Sequence, residues 1–369
     1  MLSGTKTMNF RRCRELFVAP TFRDWRGKGK GPALLALLLA IALALGGCAP
    51  SLSACAPGDL RVGLITNLSG IDGVENALTW EGLERADEQL AVCAQFVESR
   101  TEQDYRKNVV ALAEEEFDLV VAGPALVPAI QELAEEYPDT HFLLVDSSPD
   151  SPPANVHSLT FRVDQAAFPA GYLAAAWATL EDPAEPWVGF VASQLNPSVE
   201  QYVAAFRAGV AHYNDQREAD VGFRGVFLGA DETQDADLQA NALIDLGIDV
   251  ILEVSDGDMM GALAMAKGRG RWGIGAELDR YKDAGEARDI VLTSAVKRLD
   301  NAVYSFLKEW TQGAAGDLAV LQGTLESGGV GLAPFHDAEK QVPTSLQAEL
   351  AGVLEAVAAG DLDTGWEAP

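Results

Sequence analysis

With 369 residues, 48% of them apolar and 22% charged, the chain has a globular composition and enough length for two domains. Its net charge of −28 argues against nucleic-acid binding, which needs a basic face. Such acidity favours solubility and a cationic or polyhydroxylated partner.

Residues 1–47 read as a targeting segment rather than as part of the fold. Eight basic residues (Lys6, Arg11, Arg12, Arg14, Arg23, Arg26, Lys28, Lys30) stand against two acidic ones, Glu15 and Asp24. A 13-residue apolar run, Ala33 to Leu45, follows, and it is too short for a membrane span. The end Leu45-Gly46-Gly47-Cys48 resembles the lipobox of bacterial lipoproteins, in which the Cys becomes the lipidated first residue. An ordinary signal peptide with a chance Cys is the alternative. Losing this +6 segment would leave the mature chain at −34. Residues 48–59, rich in Ser, Ala and Pro, then form a tether. Cys55 and Cys93 remain as an even pair in an oxidising compartment, either bridged between neighbouring strands or present as two thiols.

The segment Arg61–Ala86 sets the pattern: an apolar β-prone run, a Gly/Asn/Asp loop over Asn67–Asn76, then helical apolar spacing. Strand, loop, helix opens a doubly wound α/β lobe, whose ligand sits beyond the carboxyl ends of the strands. Strands are predicted at Val92–Val97, Asp118–Ala122, His141–Val145 and His157–Phe161, with helices at Glu102–Glu116 and Pro128–Tyr137 between them. Gln165–Leu180 reads as an Ala-rich helix weakened early by Pro169 and Gly171. After Glu181–Pro186 the rhythm repeats: strands at Trp187–Ala192, Val221–Leu228, Val250–Val254 and Trp272–Gly275, helices at Val199–Tyr213, Asp235–Leu246 and Met259–Lys267. A strand at Asp289–Ser294, helices at Asn301–Trp310 and Leu346–Ala358, and the Gly-rich Glu326–Phe335 complete the reading. A repeated βαβα rhythm predicts two parallel sheets with right-handed crossovers.

Several motifs carry no chemistry. Gly268–Gly273 matches G-x-G-x-x-G but precedes a strand, whereas a dinucleotide fingerprint follows one. A phosphate-binding P-loop and a Gly-x-Ser-x-Gly elbow are both lacking from the sequence. The four His (His141, His157, His212, His336) show no metal-ligand spacing. No cofactor or metal is expected, and no nucleophile–base pair points to an enzyme.

Other stretches are specific. Gly63-Leu64-Ile65-Thr66, Asn76 and Trp80–Leu83 come first, then His141–Asp146 and Phe161–Ala175. Gly189–Val210, Ile248–Gly257, Gly273–Tyr281, Ile290–Asp300 and Glu326–Leu332 follow in order. Together they resemble the basic membrane protein (PnrA-like) family of bacterial ABC-transporter substrate-binding lipoproteins. The resemblance implies two doubly wound α/β lobes, type I periplasmic-binding-protein-like, that close on ligand about a hinge. The expected division is 60–162 with 278–322 for lobe I, and 163–274 with 325–369 for lobe II. It also implies ligand contacts at Asn76, Asp146, Lys297 and Glu277, the last standing where the family has a ribose-binding Asp. Asp72, in the first loop, and Gly257, in the loop Asp256–Met259, complete the expected lining. Glu75 and Asp231 stand where the family sandwiches a purine between aromatic rings. Carboxylates there either choose a different ring or cation, or lie on the rim.

The expected function is therefore reversible capture of a small molecule, by family default a purine nucleoside, and its delivery to an ABC permease. The expected protein is a monomer, held at the extracytoplasmic face of the cell membrane by its lipid anchor. Rivals are import of a cationic or sugar-like solute and a ligand-sensing receptor of the same fold; a secreted hydrolase is the remotest.

Overall fold

The computed structural model describes residues 55–229, 235–255, 261–314 and 319–366. In chain order the first elements are β1 (Leu60–Ile65), α1 (Val74–Gln89), β2 (Val92–Val97), α2 (Glu102–Glu114), β3 (Leu119–Ala122) and α3 (Val127–Leu133). Next come β4 (His141–Val145), β5 (Val156–Phe161), α4 (Val163–Glu181), β6 (Trp187–Ala192), α5 (Pro197–Arg217) and β7 (Gly222–Phe227). Then follow α6 (Ala236–Asp245), β8 (Val250–Val254), α7 (Gly261–Gly268), β9 (Trp272–Glu277), β10 (Val291–Lys297) and α8 (Leu299–Glu309). Last are β11 (Val320–Gly323), β12 (Val330–Leu332) and α9 (Thr344–Ala359).

Two six-stranded sheets result, ordered β11-β5-β4-β3-β1-β2 and β12-β10-β9-β8-β6-β7. Within each, the first five strands of the lobe take the order 2-1-3-4-5, the doubly wound arrangement. All pairings are parallel except β10 with β12. The central strands are apolar on both faces because helices cover both: β3 and β8 are buried throughout. Local signals agree with the helix starts. Thr101 and Asp104 form a capping box on α2, and the Asn196 side chain accepts from the Val199 amide at the start of α5.

Sheet membership corrects one expectation. Residues 278–297 do not join the first lobe, because β10 pairs in parallel with β9 from Gly273 to Glu277, with a register shift between Val291 and Thr293. The chain leaves the second sheet only after Lys297; α8 packs on α1, and β11 adds to the first sheet beside β5. Lys297 accordingly is the last residue of β10. The sheets are joined at Arg162, at Arg298 and through residues 324–329. These joints are mutually bonded: the Arg162 amide donates to the Gly323 carbonyl (2.9 Å) and the Arg298 amide to that of Gly329 (2.8 Å).

A disulfide joins Cys55 to Cys93, so the segment entering β1 is tied to the edge strand β2. Among the described residues no helix is long and apolar enough to cross a membrane. Cys48, Asp231 and Gly257 lie outside the described residues.

Candidate ligand cleft

A cavity of about 340 Å³ opens where the carboxyl ends of the two sheets face one another. From the first lobe it is lined by Asn67, Ser69 and Gly73 after β1, by Val74, Glu75 and Asn76 in the first turn of α1, and by Asp146 after β4. From the second come Ser255 after β8, Glu277, Leu278, Arg280 and Asp283 at and beyond the end of β9, and Lys297 at the end of β10. Leu299, at the start of α8, completes the wall.

The helix α1 begins at Val74, two residues before the expected loop ends, which places Glu75 and Asn76 on a helical turn. Asn76 is buried, and its amide donates to Asn67 Oδ1 (2.9 Å) and to the Gly70 carbonyl (2.7 Å). It therefore organises the loop after β1. Asp72 is exposed on that loop and does not line the cavity.

Four residues meet at the inner end of the cleft. The Lys297 ammonium lies 2.8 Å from Asp146 Oδ2 and 2.7 Å from Glu277 Oε2, with Ser198 Oγ at 3.5 Å. Asp146 (φ 59°) and Glu277 (φ 69°) both adopt the left-handed region, which costs a non-glycine residue of order 1 kcal/mol or more. Residues held in this way cluster at functional sites. Burial by itself would lower the Lys297 pKa, but the carboxylates of Glu277 and Asp146 hold it well above the ordinary lysine value. The ammonium is thus charged. Tyr202 of α5 stands behind it, fully buried. Burial, and then the Glu277 charge, push that phenol well above its usual pKa.

Arg280, just beyond the end of β9, also lines the cavity and has no sequence signal of its own. Its Nε donates to the Ala276 carbonyl, one terminal nitrogen to Asp283 (3.2 Å), and the other to Ser255 Oγ (3.0 Å) and the Ser255 carbonyl. The side chain passes over Gly275, where a Cβ would lie 2.4 Å from Arg280 Cγ. Only glycine leaves room for it there. Below it Glu253 is buried, accepting from the Leu263 amide (2.7 Å) at the start of α7. Burial raises its pKa to about 7 against the opposing pull of that hydrogen bond and of Arg280.

Four lining carboxylates (Glu75, Asp146, Glu277, Asp283) face two lining cations, Arg280 and Lys297, and no lining residue among those described is aromatic. Among the described residues no group of three or more His, Cys, Asp or Glu could hold a metal ion. The arrangement offers acceptors and fixed charges for reversible binding.

The sequence model of the family described as ABC transporter substrate-binding protein PnrA-like matches residues 62–356. The chain belongs to this family. It is 27% identical over 332 residues to the CD4+ T-cell-stimulating antigen of Listeria innocua, covering 82% of this chain and 90% of that one. An uncharacterised lipoprotein of Pyrococcus abyssi is 24% identical over 276 residues, covering 73% of this chain and 68% of its own length. In fold, the chain is similar to an ABC transporter solute-binding protein from Aeropyrum pernix, with a TM-score of 0.64 at 21% identity. That match covers 82% of this chain and 92% of the other. The chain is thus a solute-binding protein of the ABC-transporter type with a type I-like periplasmic-binding fold.

Proposed function

We propose that this PnrA-like protein is the lipid-anchored, extracytoplasmic binding component of an ABC importer, and that its cleft takes a donor-rich polar solute, hydroxylated or cationic. The observation carrying this reading is the cavity wall: four carboxylates against two cations, with no aromatic among the described lining residues. A purine nucleoside, the family default, gains ~1–3 kcal/mol per base from aromatic stacking, and Glu75 cannot supply it. Asp146 and Glu277, by contrast, suit hydroxyl or ammonium donors, because charge-assisted hydrogen bonds are the stronger kind. The lipobox-like Leu45–Cys48 and the lipoprotein naming of the Pyrococcus relative support the anchor. The family supports an ABC permease as partner; that the chain acts as a monomer is part of the same proposal.

A thermal-shift screen of the purified protein against nucleosides, sugars, polyols, polyamines and amino acids tests the ligand class. A sugar, polyol or amine should raise the melting temperature while adenosine and guanosine leave it in place. Tight guanosine binding would overturn the ligand assignment and return the family default.

A further inference from the structure

The four groups that meet at the inner end of the cleft do not all belong to one lobe. Asp146 follows β4 of the first sheet; Glu277 and Lys297 end β9 and β10 of the second; Ser198 lies on α5, whose neighbours are in the second lobe. A lysine ammonium has three N–H donors. Here its neighbours are three oxygens, Asp146 Oδ2 at 2.8 Å, Glu277 Oε2 at 2.7 Å and Ser198 Oγ at 3.5 Å, so no donor remains to meet a ligand hydroxyl without one bond breaking. The side chain of Lys297 is only 6% exposed and that of Glu277 14%, so water screens their interaction little. Of these contacts, only the one to Asp146 crosses between the lobes.

From this geometry we infer that Lys297 is an interlobe clamp: its ion pair with Asp146 holds the ligand-free lobes together, and Glu277 serves to fix the ammonium within the second lobe. The clamp works whichever solute fills the cleft. Without Lys297 the carboxylates of Asp146 and Glu277 would approach across the cleft as like charges, which opposes closure. Both carboxylate residues hold left-handed backbones, which aims each side chain from the end of its strand. Lys297 also stands one residue before the joint at Arg298, so a bond from it to the first lobe acts on the hinge itself. A solute that inserts a donor beside Asp146 competes for the clamp, which couples binding to lobe angle.

The test uses the full chain without ligand, spin-labelled through non-cysteine side chains introduced at exposed Glu84 on α1 and exposed Ala242 on α6. Pulsed electron paramagnetic resonance then reads the distance between lobes. Asp146→Asn keeps a residue type that tolerates the left-handed region and removes the charge across the lobes; it should lengthen and broaden the distribution. Lys297→Met should do the same. Glu277→Gln removes an equally close carboxylate but only within the second lobe, and should leave the distribution as in the native chain. Equal opening by Asp146→Asn and Glu277→Gln, or no opening by Asp146→Asn, would overturn the clamp. Should Lys297→Met fail to fold, the contrast between the two carboxylate variants still decides.

Discussion

Glu253 carries the clearest pH signature of any single residue. Its carboxyl titrates near pH 7 when folded, against about 4.5 when unfolded, because burial outweighs its bond from the Leu263 amide. Between those values the folded state binds more protons, so the contribution to stability falls as pH rises. A shift of that size amounts to about 3 kcal/mol at most. The native chain should therefore lose stability relative to Glu253→Gln between pH 5 and 7.5, read as the difference in urea midpoints. A difference that does not change with pH would show that Glu253 is charged throughout. At this scale the sequence was partly legible. Asp146, Glu277 and Lys297 stand at strand ends and carry the family resemblance, and all three line the cleft. Arg280, Tyr202 and Ser198 gave no signal, since their neighbours are brought together only by tertiary packing and by the gap at Gly275. Nothing in composition distinguishes a lysine whose donors are taken by its own protein from one that greets a ligand.

Helix α4 runs unbroken from Val163 to Glu181 with Pro169 inside it, although proline and Gly171 lower its intrinsic propensity. Packing overrides propensity here, and the glycines show how. A Cβ on Gly171 would lie 1.9 Å from the Phe206 carbonyl oxygen, and one on Gly209 1.9 Å from that of Phe168. The two helices α4 and α5 thus touch backbone to backbone beneath the second sheet. Gly209→Ala should cost about 1–3 kcal/mol or more, because the obstacle is main chain and cannot swing aside. Urea denaturation checks this; a loss below ~0.5 kcal/mol would mean that the helices separate easily. Long elements were read correctly from periodicity, whereas β11 and β12 were missed. They have four and three residues, lie at sheet edges, and Val320 is 54% exposed, so neither shows alternation or an apolar run. The expected strand ends at Ser294, three residues short of β10, whose last residue is the buried Lys297.

Across the whole molecule the chain order foretold two doubly wound lobes, but not which sheet each late strand would join. Residues 278–297 look the same in sequence whether they close the first lobe or extend the second; only the pairing of β10 with β9 settles it. That pairing has a functional consequence, since it places Lys297 opposite Asp146 rather than beside it. The acidic balance has one as well. A chain at −28 offers a cationic solute an attractive field on approach, and lining carboxylates offer it partners on arrival. In the proposed binding mode a polar solute is held in this cleft by these charged groups. Its most direct test is titration calorimetry of the solute that gives the largest thermal shift, into the native chain and into Glu277→Gln. The expected result is one site per chain, with affinity weakened in the variant by roughly 10–150-fold, the worth of about 1.5–3 kcal/mol for a charge-assisted hydrogen bond. Equal affinity in the two proteins would place the solute away from Glu277 and contradict this binding mode.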